Sequence, residues 1–187
     1  MSELRIYEET GKPVASYKTF EDIRANLERI GVKFERWEAS RVLDSHATQD
    51  EVIEAYRGSV NRLMNEYGFK SVDVISMHPE HPQREALRQK FLSEHTHDEF
   101  EVRFFVDGEA LFYIREAGRV HGVLCTRGDL ISVPAKTPHW FDMGPHPEFK
   151  AIRLFITPEG WVANYTGDKI ADGFPRLEAP HYLSQAA

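Results

Sequence analysis

Residues 94–108 read EHTHDEFEVRFFVDG. The stretch reads as one strand carrying candidate ligands, and it ends in Asp107-Gly108, a dipeptide that favours tight hairpin turns. Alternate side chains of a strand share a face, so His95, His97, Glu99, Glu101 and Arg103 are expected on one side. That face carries two imidazoles, two carboxylates and a guanidinium, and burying it uncompensated costs on the order of several kcal/mol per ion. A bound divalent cation removes much of that cost, because imidazole nitrogen and carboxylate oxygen both ligate it.

A second stretch supplies a partner. Gly128-Asp129 is a turn, Leu130 to Val133 is a short apolar run, and the loop from Pro134 to Pro138 delivers His139 to another aromatic segment. Together the two stretches resemble the paired motifs of the cupin superfamily. The first motif, His-x-His, three residues, Glu, six residues, Gly, falls on His95, His97, Glu101 and Gly108. The second, Gly, five residues, Pro, then a spacer to His, falls on Gly128, Pro134 and His139. Lys136 stands where the second motif usually has glycine, and Met143 where it usually has asparagine. The metal ligands implied are His95, His97, Glu101 and His139.

A chain of 187 residues is long enough for one well-cored domain. We expect residues 1–187 to form a single cupin domain: flanking strands and helices over 1–91, the barrel core with the metal site over 92–165, and a tail over 166–187. With 30 acidic against 23 basic side chains, the net charge of -7 disfavours a nucleic-acid or anionic-membrane surface. Small-molecule partners are expected instead. The sequence shows neither a leader nor a run of membrane-spanning length, which points to the cytoplasm. The one cysteine, Cys125, excludes an internal disulfide and reads as strand packing in the alternation around it.

Upstream, Leu4 to Tyr7 is a strand candidate. Thr19 caps a helix with Ile23, Leu27 and Ile30 on one face, and Val32 to Trp37 is extended. Thr48 and Glu51 form a capping box before one longer helix that carries Val52, Tyr56, Val60, Leu63 and Tyr67 and stops at Gly68. Val72 to Ser76 alternates as a strand. His78 and His81 fall in a proline-broken loop, and Glu85 to Phe91 is a short helix. From there short apolar runs recur to Ile156 with turns between them, the mark of a sandwich or barrel. The fold class expected is mainly β with peripheral helices, a cupin jelly-roll barrel with the N-terminal helices packed outside.

The resemblance narrows further. EALRQKFLSEHTH, EVRFF, DLISVPAKTPHWFDMG, AIRLF followed by PEGW, and FERWEA and DVIS in the N-terminal half are similar to the acireductone dioxygenases of methionine salvage, and they span most of the chain. The resemblance implies one Fe2+ or Ni2+ per monomer and cleavage of 1,2-dihydroxy-5-(methylthio)pent-1-en-3-one by O2. The iron form would give 4-methylthio-2-oxobutanoate and formate, and the nickel form 3-methylthiopropanoate, formate and carbon monoxide. It also implies Arg103 as the catalytic cation, and Phe91, Phe104, Phe141 and Trp161 around the methylthio tail. Strand parity adds Phe105, since Phe104 should face away from Glu101. Glu94 and Phe100 are accessory candidates, and a monomer is expected.

Two other readings compete. A different metal-dependent cupin enzyme, an isomerase or another dioxygenase, could use the same ligand set; an isomerase for phosphorylated sugars would need several inward cations, and only Arg103 is placed there. A non-catalytic metal- or small-molecule-binding cupin is the second. A DNA-binding regulator of that kind would need a helix-turn-helix, which the two acidic, widely separated N-terminal helices do not resemble.

Overall fold

The computed structural model describes residues 1–157 and 162–178. In chain order the elements are β1 (Glu3–Glu8), β2 (Pro13–Tyr17), α1 (Phe20–Glu28), β3 (Lys33–Arg36), α2 (Gln49–Ala55), α3 (Arg57–Tyr67), β4 (Ser71–Met77) and α4 (Arg84–Phe91). There follow β5 (His95–Thr96), β6 (Glu101–Glu116), β7 (Arg119–Thr126), β8 (Asp129–Val133), β9 (His139–Asp142), β10 (Phe149–Phe155), β11 (Asn164–Tyr165) and a 3-10 turn over Ile170–Gly173. The architecture is the mainly β, cupin-type arrangement with peripheral helices that the sequence leads one to expect.

Two rows of antiparallel strands share β6. One row runs β11-β5-β9-β6-β7-β1-β2; the other places β8 and β10 on either side of the first half of β6, with β3 beyond β8 and β4 beyond β10. Between the rows lies a core of Phe105, Phe112, Val123, Cys125, Ile131, Phe141, Phe149 and their neighbours. Strands β1, β3 and β4 therefore belong to the sheets themselves. The helices sit outside as expected: Val52 of α2, Val60 and Leu63 of α3, and Tyr56 between the two helices pack on Phe104, Val106, Ile152 and Leu154. The opposite outer face stacks Tyr113 on Trp140, ring centroids 5.0 Å apart, and Phe174 of the tail packs against both.

Three local expectations are corrected. Asp107-Gly108 is not a hairpin turn, because β6 runs through it for 16 residues. The register against β10 slips there, Lys150 facing Asp107 while Ala151 faces Phe105, so the strand bulges at Val106 and passes from one row to the other. The apolar alternation continues past the dipeptide, and the glycine is used for a corner: its φ is +67°, and a Cβ built on it would lie 1.9 Å from the Glu148 carbonyl oxygen. Next, the strand expected from His95 to Arg103 is two strands, since residues 97–100 leave the sheet between β5 and β6. Finally, the single helix after Thr48 breaks at Tyr56 (φ -115°, ψ 20°) into α2 and α3. The capping box at Thr48 and Glu51 and the left-handed Gly68 cap are both present.

Gly108→Ala is expected to destabilise the fold by more than about 2 kcal/mol, since it adds a clash to an unfavourable φ. Gly118→Ala, at a similar φ of +69° with nothing within 4 Å of the added carbon, should cost only about 1 kcal/mol. Urea midpoints of the two variants check this; equal midpoints would mean that the corner tolerates a side chain.

Candidate metal centre

Strand β5 is two residues long, enough to set His95 directly opposite His139 of β9. His139 in turn faces Ile114 of β6. His97 lies just beyond β5, where its carbonyl accepts the Lys136 N–H at 2.7 Å. Lys136, in the glycine place of the second motif, has a left-handed φ of 62°. Glu101 opens β6. The imidazole ligand atoms of His95, His97 and His139 lie within 4.8 Å of one another, and all three residues are buried. Glu101 Oε2 is 2.9 Å from His139 Nε2 and 3.4 Å from His97 Nε2.

The second nitrogen of each ring fixes the tautomer. His95 Nδ1 is 2.7 Å from the Ser93 carbonyl, His97 Nδ1 is 2.9 Å from that of Val162, and His139 Nδ1 is 2.8 Å from that of Thr137. A carbonyl only accepts, so each neutral ring carries its proton on Nδ1 and turns a lone pair on Nε2 inward. The 2.9 Å contact between Glu101 Oε2 and His139 Nε2 then joins two acceptors, and neither atom has a hydrogen-bond partner although both are shut from water. Leaving such a group unsatisfied costs about 1–3 kcal/mol. A divalent cation among the lone pairs satisfies both, so the donor set of three imidazoles and one carboxylate fits a metal.

Arg103 completes the electrostatics. Its Nε donates to Glu101 Oε1 at 2.5 Å, and its guanidinium carbon sits 4.4 Å from the Phe141 ring centre, 5.1 Å from Phe112 and 5.9 Å from Phe91. Burial works to raise the Glu101 carboxyl, but the charge of Arg103 and the two imidazoles beside it hold it well below the usual carboxylate range. Burial, aided by His139, pushes His95 down to about 4. For His97 burial acts in the same direction, yet the hydrogen bond and charge of Glu101 outweigh it and the ring is raised. Burial lowers Arg103 against the pull of Glu101.

The remaining candidates divide by face. Phe91, at the end of α4, meets Phe141 edge-on at 5.7 Å; Arg88 of the same helix is fixed by Asp142 of β9 at 2.8 Å. Phe105 belongs to the core shared with Phe112 and Phe141. Phe104 points to the other side, as strand parity expects, against Tyr56 at 5.7 Å and Trp37 at 6.0 Å. Phe100 packs on Phe69 at 5.4 Å, also outside. Glu99 turns away from the centre, because its carboxylate accepts from the Ile156 N–H at 3.1 Å and the Thr157 N–H at 3.4 Å. Glu94 is buried on the face opposite the ligands, accepting from Thr166 Oγ1 at 2.7 Å and from Arg115 at 3.5 Å. Trp161 lies outside the described residues. Phe112 was missed, although its alternation with Ala110 and Ile114 marks it as inward. Tyr165, 5.8 Å from His95, and the Val162 carbonyl were missed as well, and no local signal announces a backbone acceptor 65 residues from its ring.

Known proteins match this chain closely. A family model described as the ARD/ARD' family matches residues 3–163. The acireductone dioxygenase of Aquifex aeolicus (strain VF5) is 54% identical over 178 residues, covering 95% of this chain and 97% of that one. That of Yersinia enterocolitica serotype O:8 / biotype 1B is 53% identical over 180 residues, covering 95% and 100%. Among solved structures, an acireductone dioxygenase from Bacillus anthracis with a cadmium ion in its active centre superposes with a TM-score of 0.79 at 30% identity, over 88% of this chain and 98% of that one. With a family match over most of its length, and relatives at this identity covering nearly all of both sequences, the chain belongs to the ARD/ARD' family.

Proposed function

We propose that the protein is a metal-dependent acireductone dioxygenase, which uses O2 to cleave an electron-rich enediol. The observation that carries the reading is the buried contact between Glu101 Oε2 and His139 Nε2 at 2.9 Å, two ligand atoms without a hydrogen-bond partner and a place made for a cation. Three nitrogens and one carboxylate oxygen suit iron(II) or nickel(II), whereas a closed structural zinc site usually includes thiolate. The accompanying reading is one catalytic Fe2+ or Ni2+ per chain, held by His95, His97, Glu101 and His139, in a cytoplasmic monomer acting on a small acireductone and O2. Among the described residues no helix is long and apolar enough to cross a membrane.

When bound, the ion would supply Lewis-acid stabilisation of the enediolate and hold it for reaction. The chain's own residues do the rest. Arg103 orients Glu101 through Nε and keeps a positive charge inside a cage of Phe91, Phe112 and Phe141. Charges attract more strongly in such an apolar setting than in water, so the guanidinium favours the deprotonated substrate. The same rings, with Phe105 behind them, offer an apolar wall to the methylthio tail and exclude water from the reacting carbons.

The decisive experiment is anaerobic reconstitution of metal-free protein with iron(II) or nickel(II), followed by O2 and an acireductone. Expected products are 4-methylthio-2-oxobutanoate with formate for iron, and 3-methylthiopropanoate, formate and carbon monoxide for nickel. Oxygen uptake no faster than the free-solution background with either metal would sink the reading and favour an isomerase or a binding module.

Two variants probe the parts. Arg103→Ala leaves the Glu101 carboxylate buried without its counter-charge, so the metal-free protein should lose about 3–5 kcal/mol. The metal-loaded protein should lose less, because the cation substitutes for that charge; melting temperatures with and without metal measure the difference. Thr166→Val releases the segment that holds the Val162 carbonyl on His97, and metal affinity should fall by roughly ten- to a hundred-fold, as when other partners of ligating histidines are removed. Unchanged affinity would show that β11 holds the carbonyl unaided.

A further inference from the structure

Away from the metal centre, three other histidines meet. His78 follows β4, His81 comes three residues later, and His46 arrives from the separate segment that leads into α2. Ring centroids are 5.2 Å apart for His46 and His78, and 5.5 Å for His78 and His81, both pairs edge-on. The fold anchors both arms. Lys150 donates to the Ser45 carbonyl at 3.0 Å and the His46 N–H to Asp44 at 2.8 Å, while the His81 N–H bonds the His78 carbonyl at 3.0 Å.

His78 is the unsatisfied member. Its Nδ1 is shut from water without a hydrogen-bond partner, and the nearest acidic oxygen is Glu80 Oε2 at 3.5 Å. A divalent cation would give that nitrogen a partner and would sit beside the solvent-exposed Glu80 carboxylate.

We propose that His46, His78 and Glu80, with His81 at the edge, form a second site for a borderline divalent cation of the nickel(II), copper(II) or zinc(II) kind. Imidazole-rich sets favour these ions over magnesium or calcium. The site is separate from the first. Asp73 of β4 stands in register with Arg153 and, through it, with Arg103, whereas His78 is five residues further, about 16 Å along an extended chain. It is also less prepared. Among the described residues only His95, His97 and His139 already have their ligand atoms within 4.8 Å of one another. At the second cluster the exposed His46 ring must turn inward, and His81 Nδ1 is engaged by the Gln83 N–H at 3.2 Å. The second ion therefore binds after the first and more weakly. Once bound, it ties the irregular segment before α2 to the end of β4.

The test uses tag-free, metal-free protein titrated with nickel(II), and separately with zinc(II), in a calorimeter. Two binding events are expected, the tighter one lost in His97→Ala and the weaker one lost in the His46→Ala His78→Ala double variant, whose dioxygenase turnover should equal that of the parent. Side-chain NMR of the histidines should show His46 and His78 shifting only with the second equivalent. A single event in the parent protein overturns the proposal, as does a second event that survives in the double variant. The first event and the turnover test the metal centre itself, so the two readings fail separately.

Discussion

A single buried carboxylate organises this molecule. Glu101 is 1% exposed, and a negative charge so placed would cost several kcal/mol without partners. It finds them near and far along the chain: Arg103 from the same strand, His97 from the loop before it, and His139 from a strand nearly forty residues on. Arg103 then needs its own shelter, which Phe91 of α4, Phe112 of β6 and Phe141 of β9 provide. Four elements thus close on one ion. The corner at Gly108 makes this possible, because it lets β6 give Glu101 and Arg103 to one row of strands and Phe112 to the other.

How much of this the sequence discloses depends on whether side chains or backbone carry the information. The ligand positions are written as spacing, His-x-His and a glutamate four residues on, and they survive even though the strand that parity assumed is interrupted at 97–100. Parity fails for Glu99 for that reason and holds within β6, where Phe105 and Phe104 face opposite sides. The Asp107-Gly108 dipeptide advertises a left-handed residue without saying whether the chain reverses or bends there. Contact with the Glu148 carbonyl decides, and no local pattern encodes it. The helix break at Tyr56 has the same character: its ring packs on Phe104 at 5.7 Å, a tertiary demand that overrides helix periodicity.

Lys136 shows what departure from a motif costs. A side chain at φ 62° carries a penalty of about 1–2 kcal/mol that glycine avoids. The same loop bonds the Lys136 N–H to the His97 carbonyl and sets the Thr137 carbonyl on the His139 ring, contacts that offset the penalty. Met143, where asparagine is usual, is buried with the barrel core, so that end of the motif serves packing.

The three carbonyls that hold the imidazoles belong to Ser93, Thr137 and Val162, and all three are main-chain groups. Every amino acid supplies one. Neutral drift at these positions can thus change the side chains freely while the protonation pattern of the ligands stays fixed, provided that the backbone path is kept. Heritable variation around the centre is thereby channelled toward its shape and hydrophobic lining, leaving ligand basicity protected by the fold.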